Sequence, residues 1–162
     1  MKTLEKDVLE MLKSDARLAA KQIAAALGAQ EADVQACIDH LEKTGAIVKY
    51  TAIVNGEMTD ETLVEALIEV KVTPKSVEGF DGIAKQIAAF PEVKGVYLMS
   101  GAYDLAVFIE DASLQKVARF VSERISTFSG VISTATHFIL KKYKVEGVCT
   151  DVDEDRRISV QA

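Results

Sequence analysis

The spacing of apolar residues changes once along this 162-residue chain, and that change constrains the fold more than any other feature of the sequence. Over the first 50 residues apolar side chains recur every three or four positions, which is the period of a helix with one buried face. From residue 62 onward they alternate with polar side chains over several short runs, which is the period of a half-buried strand. The sequence therefore predicts an α+β protein with a helical first unit, a linker at 55–61 and a mixed second unit.

The first unit is predicted to contain three helices. One face of the first helix carries Leu4, Val8, Met11 and Leu12. The second helix ends at Gly28, because glycine most easily adopts the left-handed conformation of a helix end. The third helix ends at Gly45, and its apolar face carries Val34, Ile38 and Leu41.

A strand is predicted to follow the third helix. Residues 47–54 are β-branched and aromatic, and the turn signal Asn55-Gly56 comes directly after them. Helix, helix, tight turn, helix and strand is the order of a winged helix-turn-helix, whose third helix enters a DNA groove. We therefore assign residues 1–54 to a winged helix-turn-helix unit, with the helix-turn-helix itself at about 20–43.

The second unit, residues 62–145, is predicted to contain strands and helices in the order β-α-β-β-α-β. Its halves, 62–99 and 103–141, span 38 and 39 residues, and each is predicted to contain a strand, a helix and a strand. This repeat predicts a ferredoxin-like fold, in which both helices cover one face of a four-stranded antiparallel sheet. Residues 146–162 are expected to form a polar C-terminal tail.

The third strand of this sheet is apolar on both faces. Leu105, Val107 and Ile109 alternate with Ala106 and Phe108 along it. Because the helices cover only one face, the other apolar face requires a second cover. A second copy of the chain is the simplest cover, so we expect a homodimer that associates through the sheet.

Several classes of protein are excluded by spacing and composition. The longest uncharged stretch, 125–140, has 16 residues, whereas a spanning helix needs roughly 20. The first residues are charged throughout and lack the apolar core of a secretion signal, so we expect a cytoplasmic protein without membrane contact.

The cysteines, Cys37 and Cys149, are too few and too far apart for a disulfide framework. No metal site is expected, since His40 and His137 lack neighbours at ligand spacing.

Catalytic motifs are also missing from the sequence. Neither a Gly-x-Ser-x-Gly elbow nor a Gly-rich phosphate loop occurs. We therefore expect no enzymatic activity. A small enzyme on a ferredoxin-like scaffold stays a third hypothesis, because a fold does not determine a function.

A series of short motifs runs through both units in a recognisable order. In the first unit they are Asp15-Ala16-Arg17, Ile23-Ala24 before Gly28, Leu41-Glu42 before Gly45-Ala46-Ile47, and Tyr50-Thr51-Ala52. In the second unit they are Gly95-Val96, Ser100-Gly101-Ala102-Tyr103-Asp104-Leu105, and Gly130-Val131 before Thr134-Ala135-Thr136. From Leu4 to about Gly147 the chain thereby resembles the leucine-responsive regulatory protein/AsnC (Lrp/AsnC) family of transcription regulators.

The resemblance implies an N-terminal DNA-binding unit and a C-terminal domain that dimerises and senses an effector. In this family dimers often assemble into larger rings, such as octamers. The effector is typically an amino acid or a related metabolite, held between subunits near the turn that joins the two central strands. No other cofactor is expected.

The resemblance places the effector site on Gly101, Tyr103, Asp104, Thr134 and Thr136. Gly101 would let the backbone approach a ligand, and the Asp104 carboxylate would receive its ammonium group. Thr134 and Thr136 point to the same face of a strand, and Tyr103 would wall the pocket. The alternative is structural: a hairpin turn in which Asp104 accepts from turn amides, and two threonines on a strand face.

The predicted DNA-binding unit is poor in cations. The chain has a net charge of −6, and residues 1–60 hold seven basic and ten acidic side chains. Ala19 and Gln30 stand where family members usually have Ser or Thr helix caps. The side chains that could contact DNA bases are Gln30, Gln35 and His40, and those that could contact phosphates are Arg17, Lys43 and Lys49. Alternatively, all six are solvated surface residues. Because cations are few, any DNA binding should be weak per subunit and depend on oligomerisation.

Two functions follow from these observations. The first is an amino-acid-responsive, DNA-binding transcription regulator whose effector binds at the subunit interface of the second unit. The second is a ligand sensor of the same family with weak or lost DNA binding, which acts through mixed oligomers with a DNA-competent relative.

Overall fold

The computed structural model describes residues 3–59, 63–73 and 79–150, except for the side chain of Glu57. The chain divides into two compact units, Met1–Ile53 and Val54–Ala162. Residues 151–162 of the predicted tail 146–162 and residues 60–61 of the predicted linker 55–61 lie outside the described residues.

Three helices form the first unit: α1 (Thr3–Ser14), α2 (Ala20–Leu27) and α3 (Glu31–Lys43). Gly28 ends α2 in the left-handed conformation, with φ of 64°, and thereby allows the tight turn into α3. One residue later, the Ala29 N–H donates to the Ala24 carbonyl at 3.0 Å. The apolar faces of the helices meet in one core, which contains Val8, Leu12, Ile23, Ala24, Val34, Cys37, Ile38 and Leu41.

The predicted strand at 47–54 is wrong. These residues belong to no β-ladder within the described part of the chain, and Val48 is 90% exposed. A strand needs a partner for its N–H and C=O groups, and none of the described segments pairs with these residues. The residues that follow form a 3-10 turn at Gly56–Met58. Within the described residues, the helix-turn-helix is therefore present without a paired wing strand.

The second unit has the predicted ferredoxin-like order. Its elements are β1 (Val64–Val72), α4 (Gly79–Ala88), β2 (Val93–Leu98), β3 (Leu105–Asp111), α5 (Leu114–Glu123) and β4 (Val131–Phe138). The strands form one antiparallel sheet in the order β2-β3-β1-β4. Ser113 caps α5, since its Oγ accepts from the Lys116 N–H at 3.3 Å.

Alternation along β1 and β3 sends one set of side chains into the core and the other set to the opposite face. Ile68 pairs with Val107, and Val70 pairs with Leu105, all four on the helix side and fully buried. Helices α4 and α5 cover this side, and they contribute Ile83, Ile87, Val117, Phe120 and Val121 to the core. Among the described residues of the second unit, no helix packs against the opposite side, which we call the outward face.

The predicted polar tail begins with an ordered hairpin. Strands β5 (Lys144–Val145) and β6 (Val148–Cys149) pair across a turn at Glu146 and Gly147, whose φ angles are 47° and 84°. Two consecutive positive φ angles are typical of a type I′ hairpin turn. The boundary predicted between residues 145 and 146 falls inside this hairpin.

Thr150 anchors the hairpin to the rest of the second unit. Its N–H donates to the Tyr143 carbonyl at 3.1 Å, and its hydroxyl donates to the Lys142 carbonyl. Its own carbonyl accepts from the Asn55 side-chain amide at 2.9 Å. These bonds explain why a threonine near the end of the described chain is buried.

Gly130 is the glycine that the second unit requires most. Its φ is 103°, and a Cβ at this position would lie 2.8 Å from the Thr73 carbonyl oxygen. The Thr73 N–H donates to the Gly130 carbonyl at 2.8 Å, so the two segments cannot separate without losing this bond. A side chain here therefore meets both backbone strain and a steric clash.

We predict that Gly130→Ala lowers the free energy of unfolding by about 1–3 kcal/mol, the usual cost of a strained backbone position. Urea denaturation followed by circular dichroism measures this change. Gly101→Ala is the matched control, since Gly101 has no positive φ and an added Cβ would meet no atom within 4 Å. Equal stability of the two variants would contradict the prediction.

Candidate effector site and DNA-binding face

Four of the five predicted effector residues, Gly101, Tyr103, Asp104 and Thr134, lie toward one end of the sheet, whereas Thr136 lies further along β4, opposite Ile68 in the middle of β1. This end contains the last residues of β1, the connection from β2 to β3 and the first half of β4. Val70 on β1 pairs with Leu105 on one side and with Thr134 on the other. Asp104 and Thr134 therefore flank β1 from opposite sides, with backbones roughly 10 Å apart, or two strand spacings.

Asp104 binds the backbone of β1. Its carboxylate Oδ2 accepts from the Val72 N–H at 2.8 Å, at the point where the pairing of β1 with β4 shifts register. Its own N–H donates to the Val70 carbonyl at 3.1 Å, and its carbonyl accepts from the Met99 N–H at 2.8 Å. The Asp104 carboxylate therefore has a structural partner, but this partner is an amide of β1 and not an amide of the turn, as the structural alternative expects. A carboxylate has about four acceptor positions, so this bond leaves capacity for a ligand ammonium.

Gly101 is not required by the backbone of this chain. Its φ is not positive, and an added Cβ would meet no atom within 4 Å. The backbone conformation at this position is therefore open to residues other than glycine. A requirement for glycine at this position would have to come from a bound ligand or a second subunit. Tyr103, two residues on, is partly buried.

Thr134 and Thr136 share one side of β4, as predicted. They pair with Val70 and Ile68, so both threonines lie on the helix side of the sheet, and both are partly buried. The Thr134 hydroxyl lies 3.5 Å from the Ser126 hydroxyl. Sequence reasoning missed Ser126, because it lies in the 3-10 turn Ile125–Thr127, which no periodic pattern marks.

A cavity of about 390 Å³ lies at the opposite end of the sheet, and no predicted effector residue lines it. Its walls are Val54, Asn55, Gly56, Thr59, Leu63, Glu65, Glu110, Ile139, Leu140, Lys141, Lys142 and Thr150. Glu65 forms an ion pair with Lys142, and Glu110 lies 3.5 Å from Lys94. The acidic groups of this cavity thus have basic partners within the chain.

An apolar cluster lies on the outward face. The rings of Tyr97 and Phe108 meet edge to face, with centroids 5.7 Å apart. The Tyr97 ring occupies the space beside Gly95, where a Cβ would lie 3.0 Å from Tyr97 Cε2. Ala106 lies on the same face and is nearly fully buried, and Leu67 is partly buried.

The six predicted DNA-contact residues are all exposed within the first unit: Arg17, Gln30, Gln35, His40, Lys43 and Lys49. Two of them contact neighbouring carboxylates. The Gln35 side-chain amide donates to Asp39 Oδ1 at 2.7 Å, and Arg17 Nε lies 3.6 Å from Asp15 Oδ1. A contact of either side chain with DNA would compete with these contacts within the chain.

The exposed surface of α3 carries four carboxylates: Glu31, Asp33, Asp39 and Glu42. Tyr50 donates its hydroxyl to Glu42 Oε1 at 3.0 Å. Burial raises the pKa of Tyr50, and the hydrogen bond and charge of Glu42 raise it further. The acidic character that the sequence predicts for this helix is therefore present on its surface.

Neither α2 nor α3 has a side-chain cap at its N-terminus, which confirms the prediction for Ala19 and Gln30. At α2 the Gln22 side chain partly replaces the cap, since its Oε1 accepts from the Ala19 N–H at 2.9 Å.

The described residues contain no group of three metal-ligating side chains. Cys37 is buried, and burial together with the charge of Glu5 raises the pKa of its thiol. Among the residues that the structure describes, no helix is long and apolar enough to span a membrane.

This chain is similar to known proteins across both of its units. A family profile described as the Lrp/AsnC ligand binding domain matches residues 65–148, just over half of the chain. YugG of Bacillus subtilis, an uncharacterized HTH-type transcriptional regulator, is 46% identical over 99% of each chain. LysM of Saccharolobus solfataricus, also an HTH-type transcriptional regulator, is 31% identical over 84% of this chain and 91% of its own.

The fold matches solved structures over nearly the full length. The transcriptional regulator NMB0573 of Neisseria meningitidis, solved as a complex with L-Met, superimposes with a TM-score of 0.70. The match covers 98% of this chain and 99% of that one at 18% identity, which supports the fold alone. Taken with the profile match and the identity to YugG, these findings show that the chain belongs to the Lrp/AsnC family of HTH-type transcriptional regulators.

Proposed function

We propose that this protein is an amino-acid-responsive, DNA-binding transcription regulator, and that its effector binds at the subunit interface of the second unit. The observation that carries the proposal is that the family's ligand-binding profile, residues 65–148, contains all five candidate effector residues. The role is regulatory rather than enzymatic, and no cofactor other than the effector is needed. A cytoplasmic location fits this role.

The chemistry of the site suits a small zwitterion. Asp104 offers a carboxylate for an ammonium group, and the hydroxyls of Thr134 and Thr136 can donate to a carboxylate. Tyr103 would wall the pocket, and the exposed backbone at Gly101 can approach the ligand closely. The L-Met complex of the Neisseria meningitidis regulator supports an amino acid as the ligand class.

Exposed apolar side chains around this end of the sheet favour an effector held between subunits. Leu98, Met99 and Ile132 are 61%, 41% and 60% exposed. A neighbouring subunit would bury them and close the effector site, which is consistent with dimers that assemble into an octamer or another ring. Within each dimer, the apolar cluster of the outward face would form the contact.

Effector binding would change DNA affinity through assembly. An effector that binds one oligomeric assembly better than another shifts the population toward the assembly that it binds better. The free energy of this shift cannot exceed the difference between the binding free energies of the effector for the two assemblies. Because few cations face outward from the helix-turn-helix, each unit should bind DNA weakly. Several units in one oligomer would then supply avidity.

A second candidate is favoured by the acidic surface of α3. Four carboxylates on the helix that should enter DNA oppose the approach of phosphates. In this alternative the protein captures a ligand and acts through mixed oligomers with a DNA-competent relative. Specific operator binding by the purified protein alone, at nanomolar concentration, would contradict it.

For the effector site, we predict that one of the common amino acids raises the thermal midpoint of the wild-type protein in a differential scanning screen. Asp104→Asn should keep the acceptor for the Val72 N–H and yet lose this shift, because its amide cannot offer a charge to the ligand ammonium. Asp104→Ala should lose the shift while remaining dimeric, and should also lower stability by about 1–3 kcal/mol, since the Val72 N–H loses its partner.

Asp111→Asn is the matched control for the effector screen. Asp111 lies at the other end of β3 and contacts Lys116 at 3.7 Å, so its substitution should leave the effector shift intact. A full shift in Asp104→Asn would remove the charge of Asp104 from the effector site.

For DNA binding, we predict that fluorescence anisotropy with the protein's own upstream DNA shows specific binding with a shallow salt dependence. The logarithm of the affinity falls as the logarithm of the salt concentration rises, and each lost phosphate contact makes this fall less steep by about 0.9. The affinity of the triple variant Arg17→Gln, Lys43→Gln, Lys49→Gln should therefore fall less steeply with salt than that of the wild type. The control carries Lys85→Gln, Lys94→Gln and Lys116→Gln in the second unit and should keep the wild-type slope. Binding no tighter than to random DNA at low salt would contradict the proposed function.

A further inference from the structure

A histidine–carboxylate pair lies on the outward face beside the apolar cluster. His137 Nε2 of β4 is 3.3 Å from Glu69 Oε1 of β1, and the side chains are 56% and 34% exposed. The register explains the contact: His137 pairs with Leu67 and Ala135 pairs with Glu69, so the two charged residues meet on a diagonal of the antiparallel pair.

The other charged groups of this face are few. Glu65 and Lys71 flank Glu69 on β1, and Glu110 lies on β3, opposite Glu65. Glu65 is paired with Lys142, and Glu110 lies 3.5 Å from Lys94. Lys71 is two residues from Glu69, or about 7 Å along the strand. Strand β2 contributes the phenol of Tyr97 as well as the Lys94 ammonium.

The composition of the face fits a second copy of itself. Its centre is apolar, with Leu67, Tyr97, Ala106 and Phe108, and charges of both signs surround that centre. In a two-fold interface the same patch meets itself, so a patch that carries both signs can be self-complementary.

We propose that the Glu69–His137 pair is buried when two copies associate through the outward face, and that this association takes up a proton on each imidazole. The inference rests on the homodimer of the proposed function and adds a regulatory property to it. Association through this face then depends on pH as well as on concentration.

The energetic reason is the cost of burying an uncompensated carboxylate. With a neutral imidazole, Glu69 would enter the interface as a net negative charge, and burial of such a charge is costly. A protonated imidazole compensates that charge through a charge-assisted hydrogen bond. Histidines take up protons between about pH 5 and pH 8. Because the dimer holds more protons than the separated subunits, lower pH favours the dimer and higher pH favours dissociation.

Sedimentation equilibrium of the full-length protein at about pH 6 and about pH 8 tests this proposal. We expect the dimer dissociation constant to rise at least about 10-fold toward the higher pH, with an upper limit of two protons per dimer. His137→Gln should remove the pH dependence. Glu69→Gln should remove the proton uptake, and with it the rise of the dissociation constant toward the higher pH, because no carboxylate then compensates a buried imidazolium. Circular dichroism of each variant checks that it is folded.

The chain offers a matched control in His40, its other histidine, which is exposed on α3 in the first unit. His40→Gln should retain the full pH dependence. If the dimer is too tight for sedimentation, subunit exchange between donor-labelled and acceptor-labelled copies measures the same interface, with faster exchange expected at the higher pH.

Two results would overturn the inference while leaving the homodimer in place: a wild-type dimer whose affinity and exchange rate do not change with pH, or pH dependence that persists in His137→Gln. A protein that is monomeric at both pH values would overturn the homodimer itself, and the proton linkage with it.

Discussion

Strand β1 holds the second unit together, because it pairs with β3 along one edge and with β4 along the other. Its four inward side chains, from Ala66 to Val72, are buried against both helices. Its last residues are also held from two sides, by the Asp104 carboxylate at Val72 and by the Gly130 carbonyl at Thr73. One side-chain hydrogen bond and one backbone hydrogen bond therefore connect the end of this central strand to residues near the candidate effector site.

The two faces of this sheet have different physical roles. The helix side is a closed core of branched aliphatic residues and Phe120. The outward face instead carries the Tyr97–Phe108 contact and the Glu69–His137 pair, which are partly exposed in the single chain. An apolar cluster with charges around it gains stability from a partner that removes it from water. Assembly and ligand sensing would thus use different parts of the same sheet: the outward face for the dimer, and one end of the sheet for the effector.

Much of the fold could be predicted, because hydrophobic period is a local property of the chain. The three helices of the first unit, the β-α-β-β-α-β order of the second and the cap of α5 at Ser113 all follow from neighbouring residues. The differences from the sequence-based expectation share one cause. Residues 47–54 have the composition of a strand but pair with none of the described segments. Residues 146–150 are predicted as part of a polar tail, whereas they complete a hairpin and are held by Asn55, which donates to the Thr150 carbonyl from 95 positions away. Long-range pairing decides both cases, and composition does not encode it.

The candidate effector site shows the same division. The sequence by itself determined which side chains are available, namely a carboxylate at Asp104, two hydroxyls on one side of a strand and a glycine at 101, and it determined the acidic character of α3. Only the tertiary structure decided that Asp104 and Thr134 flank β1, that the Asp104 carboxylate already accepts from the Val72 amide, and that the backbone does not need Gly101. The physical reason is that a side chain's chemistry belongs to its own residue, whereas its partners depend on which strands pair and in which register.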